Sequence, residues 1–119
     1  MKLNDLGETK YIALETFRAN GDGVITPVWV VGGNGMLFIW TEANSWKIKR
    51  IRNNKRVRLC KCDSRGNPQS DWVEAQATIL DHPDDEESLH QLMASKYGLQ
   101  FRMFSSMRKK ETRVFVEIS

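Results

Sequence analysis

The chain has 119 residues, 40% of them hydrophobic and 28% charged, with 18 Lys plus Arg against 15 Asp plus Glu. That length and balance describe one globular domain spanning 1–119 and exclude a disordered or fibrous chain. No apolar run approaches the roughly 20 residues of a membrane helix. Met1–Asp5 shows no apolar signal segment, and two cysteines make no disulfide framework, so a cytoplasmic protein is expected.

Tyr11–Arg18 alternates, with Ile12, Leu14 and Thr16 on one face and Tyr11, Ala13, Glu15 and Phe17 on the other, which predicts a strand. Ala19–Gly23 carries turn residues. Val24–Val31 is β-branched and aromatic and reads as one second strand. Pro27 lies inside it and donates no ladder hydrogen bond, so it must face an edge, a bulge or a ligand. Gly32–Gly35 is a hairpin turn, and Met36–Thr41 the third strand. Asn44 and Ser45 are both suited to cap a helix over Trp46–Asn54, with Ile48 and Ile51 on its apolar face. Arg56–Asp63 and Trp72–Leu80 are strands, separated by a loop at Ser64–Pro68. Pro83 and the acids at 84–87 start a second helix, whose stripe is Leu89, Leu92, Met93 and Tyr97 and whose end is Gly98. A short helix or irregular segment follows at 100–107, and Thr112–Ile118 is the last strand. The order β-β-β-α-β-β-α-α-β argues for an antiparallel barrel with flanking helices rather than a doubly wound parallel sheet.

The charge is unevenly spread. Eight basic residues and no acid fall between Lys47 and Lys61, and the remainder carries 10 basic and 15 acidic residues. An acidic protein thus holds one basic block. Charge alone leaves two readings open, an anion site and a solvated helix face followed by a charged edge strand.

Few other groups suggest chemistry. Cys60 and Cys62 share a strand face, but their spacing is short for zinc and only His82 and His90 could join them, so no metal site is expected. Neither histidine has a triad partner motif, and no phosphate-binding glycine loop is present. What remains is Thr41, Ser45, Lys47 and Arg50, where a strand gives way to a helix within four residues. Free N–H groups, two hydroxyls and an ammonium can converge on one phosphate there. On spacing alone, ordinary caps and a solvated lysine explain the same residues.

T-P-V-W at Thr26–Trp29, L-F-I-W-T-E-A-N-S-W-K-I-K-R-I-R-N-N-K-R-V at Leu37–Val57, and the cysteine strand after it resemble the split-barrel flavin and deazaflavin oxidoreductases. That family includes pyridoxamine 5′-phosphate oxidase, and the nearest subgroup is the small enzymes dependent on the 8-hydroxy-5-deazaflavin coenzyme (F420). The match is close over Tyr11–Leu80 and looser over 84–110. The resemblance implies a mainly β, six-stranded antiparallel split β-barrel with short flanking helices, forming a homodimer with the cofactor in a groove between subunits. Thr41, Ser45 and Lys47 then correspond to the phosphate site, with Arg50 as a helper, and Pro27, Val28 and Trp29 to the segment along the ring. Thr26 stands where pyridoxamine oxidases carry an arginine for the flavin phosphate, which argues against that activity. Trp46 stands where relatives carry Gly or a basic residue, and would crowd or stack on the cofactor.

The expectation is an oxidoreductase using F420, with FMN second, for hydride transfer to or from a small organic substrate. No side chain stands out as a catalytic acid or base. The alternatives are a split barrel that holds a cofactor or haem without turnover and, less favoured, a nucleic-acid-binding barrel using the basic block.

Overall fold

The structure is a computed structural model and describes residues 2–33, 35–80, 86–101, 103 and 113–119. The helix start expected at 81–85 and most of the segment at 100–107 lie outside the described residues.

The alternating segments pair as antiparallel strands: β1 (Ile12–Phe17), β2 (Gly23–Val28), β3 (Val30–Gly33), β4 (Met36–Glu42), β5 (Arg56–Lys61), β6 (Val73–Leu80) and β7 (Arg113–Ile118). They form one curled sheet in the order β2-β1-β5-β6-β7-β4-β3. The expected six strands are therefore seven. The run read as one strand over Val24–Val31 divides at Trp29, because β2 pairs with β1 (Val28 opposite Ile12) while β3 pairs with β4 (Val30 opposite Ile39). β2 and β3 are the two edges of the sheet, so Trp29 carries the chain from one edge to the other. β6 makes a second corner, its first half on β5 and its last four residues on β7. Pro27 lies on the edge strand β2, where its missing N–H breaks no ladder.

The main core fills the inside of the curl. Ile12 and Leu14 meet Leu37, Ile39, Val57, Leu59, Val116 and Ile118 there. Helix α1 (Trp46–Asn53) adds buried Ile48 and Ile51 to this core. A second core lies outside the β3-β4-β7 half. There helix α2 (Glu86–Tyr97) sets Leu89, Met93 and Tyr97 against Val31, Phe38 and Phe115. Leu92, expected in that stripe, is 41% exposed, so the buried face is the narrower i, i+4, i+8 row. Gly98 follows the helix at φ 58°, a conformation that favours glycine. A 3₁₀ turn at Leu3–Glu8, not expected from the sequence, buries Leu6 in the main core. Among the described residues no helix is long and apolar enough to cross a membrane.

Candidate functional site

A cleft of about 430 Å³ opens at the corner where the chain steps between β2 and β3. Pro27, Val28 and Trp29 line it from the step itself, Tyr11 from just before β1, Trp40 and Glu42 from β4, and Arg113 from the start of β7. Ser64 and Gln100 complete the lining.

The step is held by two neighbouring residues of α2. The Tyr97 ring stacks on Trp29, with centroids 4.5 Å apart and planes 9° from parallel. The Tyr97 hydroxyl accepts from the Val30 N–H at 2.9 Å and lies 2.8 Å from the Lys10 carbonyl oxygen, to which it donates. Lys96 Nζ donates to the carbonyls of Gly7 at 2.8 Å, Thr9 at 2.6 Å and Val30 at 2.6 Å. Burial pushes the Tyr97 phenol up to about 12. Burial pulls the Lys96 ammonium down to about 8, against the opposing pull of Glu8. Tyr97 was legible as part of an apolar stripe. Nothing in the sequence marked Lys96.

At the far wall the Arg113 guanidinium lies over the Trp40 ring, 4.4 Å from its centroid. Arg113 and Glu42 are opposite each other in the β4–β7 ladder, and their charged groups approach to 3.8 Å. Behind the cleft, Trp40 packs on Phe101 at 4.8 Å and meets His90 edge-on at 5.7 Å.

The start of α1 is a separate cluster. Ser45 Oγ accepts from the Ile48 N–H at 3.3 Å, so Ser45 is the helix cap. Thr41 is buried. Arg50 Nε donates to the buried Thr16 hydroxyl at 2.6 Å. Burial lowers the Lys47 pKa first and the nearby Arg50 charge lowers it further, while Glu42 raises it. The Thr26 hydroxyl is buried with no hydrogen-bond partner among the described residues. It lies opposite Leu14, two residues from Thr16 along β1, so all three share one face of the sheet.

The expected site residues thus fall into groups. Pro27, Val28 and Trp29 line the cleft. Lys47 and Arg50 sit together, and Glu42 faces both Lys47 and the cleft residue Arg113. Trp46 belongs to neither group, being 71% exposed with Lys49 Nζ 4.3 Å from its ring centroid. Sequence reasoning missed Trp40, Glu42 and Arg113, although Trp40 and Glu42 flank the Thr41 it chose. Cys60 and Cys62 are free and buried in a cluster of their own with Ala13. Among the described residues no three metal-ligating side chains gather.

Residues 4–119 match the sequence model of the pyridoxamine 5′-phosphate oxidase family. The chain belongs to that family. Solved structures with the same fold include a conserved hypothetical protein, Rv2991, of Mycobacterium tuberculosis. It is 24% identical, with a TM-score of 0.70 over 98% of this chain and 76% of that one. HutZ, the haem storage protein of Vibrio cholerae, is 13% identical, with a TM-score of 0.73 over 100% of this chain and 90% of its own. A FAD-binding protein of Mesorhizobium loti is 14% identical, with a TM-score of 0.67 over 95% and 80%. No curated protein matches the chain in sequence. The likeness to these three proteins is one of fold, since all are below 25% identity, and their named ligands include both a flavin and haem.

Proposed function

We propose that the chain is an oxidoreductase that binds F420, or FMN as second choice, and uses it to move hydride to or from a small organic substrate. The observation that carries this reading is the continuity, through Glu42, between the aromatic cleft and the cations Lys47 and Arg50. Pro27, Val28, Trp29 and Trp40 offer a flat apolar slot of the kind a tricyclic ring fills. Lys47 is partly buried beside a second cation, an arrangement an anion relieves. The buried, unpartnered Thr26 hydroxyl is a further group that a phosphate or sugar oxygen would satisfy. The residues present therefore fit a phosphorylated, ring-bearing cofactor.

A bound cofactor of this kind supplies the hydride chemistry. The chain's own work is binding and shielding. Trp29, fixed by Tyr97, and Trp40 exclude water from the ring site. Lys47 and Arg50 hold the phosphate. F420 stands first because threonine replaces an arginine at 26 and because exposed Lys55 and Lys61 remain for an acidic tail. Their neighbours Arg56 and Arg58 are paired with Glu74 at 2.6 Å and Glu15 at 3.1 Å.

The test is titration of the purified protein with F420, FMN and haem, read by fluorescence and by absorbance. Micromolar binding of F420 or FMN is expected. Lys47→Ala should weaken it by about 1.5–3 kcal/mol, the range for a hydrogen bond to a charged group. Replacing Lys55 and Lys61 by Ala should weaken F420 and spare FMN. A haem band with neither flavin nor deazaflavin binding would replace the enzyme by a haem-holding protein, and no binding at all would sink both.

A further inference from the structure

Three backbone carbonyls from separate stretches of the chain converge on one point beside the step in the cleft wall. They belong to Gly7 in the 3₁₀ turn, Thr9 just after it and Val30 at the start of β3, and the Lys96 ammonium lies 2.8, 2.6 and 2.6 Å from them. We infer that these carbonyls form a site for a monovalent cation of potassium or ammonium size, that Lys96 is its built-in occupant, and that its occupancy positions the Trp29 step for the cofactor. The link to the cofactor rests on the flavin-type reading of the cleft, whereas the cation site stands without it.

The oxygens suit such a cation. A lysine ammonium has three N–H donors and no acceptor, and here each donor has a carbonyl of its own. All three oxygens are neutral. Glu8 is near enough to pull the Lys96 pKa up, yet among the described residues no carboxylate makes an ion pair with this ammonium. Divalent ions take carboxylates, whereas clustered carbonyls replace the hydration shell of potassium. A water molecule in the same place has two hydrogens for three carbonyls, so one oxygen would stay unsatisfied. The surroundings suit the positioning role. The 3₁₀ turn lies directly on β3, where a Cβ on Gly7 would come within 3.1 Å of the Gly32 Cα. The cation thus ties together segments already in backbone contact. Val30 follows Trp29, and α2 holds both of its backbone polar groups, the N–H through Tyr97 and the carbonyl through Lys96. Lys96 is an exposed residue bordering a cavity of about 350 Å³, whose Gln100 also lines the cleft. A free cation can therefore reach the carbonyls once the lysine side chain is shortened.

The experiment uses Lys96→Ala in an amine-free buffer with sodium as the reference salt. Sodium is then replaced, at constant ionic strength, by potassium, ammonium, n-propylammonium or tetramethylammonium. Propylammonium restores the atoms removed, and tetramethylammonium carries charge but has no N–H and is too large for the cage. Urea midpoints and cofactor titrations are read in each salt. In sodium the variant should bind whichever cofactor the unmodified chain binds at least about fivefold more weakly. Potassium, ammonium and propylammonium at about 0.1 M should recover most of that loss and raise the urea midpoint of the variant with the logarithm of their concentration. Tetramethylammonium should do neither, and the unmodified chain, its site filled, should respond to none of them. A variant indifferent to all four cations overturns the cation site, as does equal rescue by tetramethylammonium or an equal response of the unmodified chain. Unchanged cofactor affinity of the variant in sodium overturns the positioning role. Should Lys96→Ala fail to fold in sodium, circular dichroism in the same salts decides. Folding restored by potassium or ammonium and not by tetramethylammonium supports the site, and a chain unfolded in all of them refutes it. Failure of the cofactor reading shows separately, as absence of F420 and FMN binding by the unmodified chain, and the urea series then still judges the cation site.

Discussion

Cys60, on β5, and Cys62, just beyond it, illustrate how a single residue's surroundings set its chemistry. Both thiols are buried against Ala13, with Tyr11 and Trp72 packed over them. Burial, reinforced by Cys60 and Asp63, pushes the Cys62 thiol up from 9.0 to about 11, and burial also raises Cys60. The effect on stability has a definite sign. Below about pH 9 the thiol is protonated in both folded and unfolded chains. Between about 9 and 11 the unfolded chain loses the Cys62 proton and the native one keeps it, so the contribution of Cys62 to stability falls with rising pH, by an order of 2 kcal/mol. Lys96, pulled down to about 8, contributes with the opposite sign over much of the same range, so the effect is read as a difference: from pH 9 to 11 the urea midpoint of the unmodified chain should lose ground to that of Cys62→Ala. A difference that stays constant across that range would refute the assignment. At this scale the sequence was informative where contacts are local. Ser45 was legible as a cap because its partner Ile48 is three residues away. Lys96 was not, because the carbonyls it binds lie 66 to 89 residues distant.

The step at Trp29 is a property of elements rather than residues. The β-branched and aromatic run over Val24–Val31 is unbroken, so local pattern reads one strand. The division comes from the partners, since β1 claims one half and β4 the other. That also explains why the barrel was legible in class but one strand short in count. The step exposes polar backbone groups, and α2 satisfies them through Tyr97 and Lys96. Tyr97→Phe leaves the Val30 N–H without its acceptor, which should cost about 1–3 kcal/mol in urea unfolding. Lys96→Met removes three carbonyl contacts and should cost about 1–2 kcal/mol, less per bond because the site is partly exposed. Tyr97→Leu also removes the ring stacked on Trp29, so in a chain with Trp40, Trp46 and Trp72 replaced by Phe, the Trp29 emission should shift to the red. An unshifted spectrum with full loss of stability would mean that α2 supports the fold but does not set the cleft wall.

The whole molecule raises the question of what covers the outer face of β1 and β5. Tyr11 and Trp72 remain partly exposed there, Arg58 lies over Trp72 at 4.9 Å, and Tyr11 and the nearby Ser64 also line the cleft. An aromatic and arginine face continuous with a ligand cleft is what a shared groove between two copies requires. The expectation is a homodimer, twice 13.8 kDa by light scattering. Trp72→Asp should shift it toward monomer, because a carboxylate would be buried at the contact. The same variant should weaken cofactor binding at least about tenfold, a loss of roughly 1.4 kcal/mol, because each cleft would lose its far side. Trp46→Asp is the matched control. It removes an equally large ring from the exposed side of α1, so the mass should stay dimeric. A chain that is monomeric while binding cofactor tightly would show that the cleft is complete within one copy, and the aromatic face would then need another explanation.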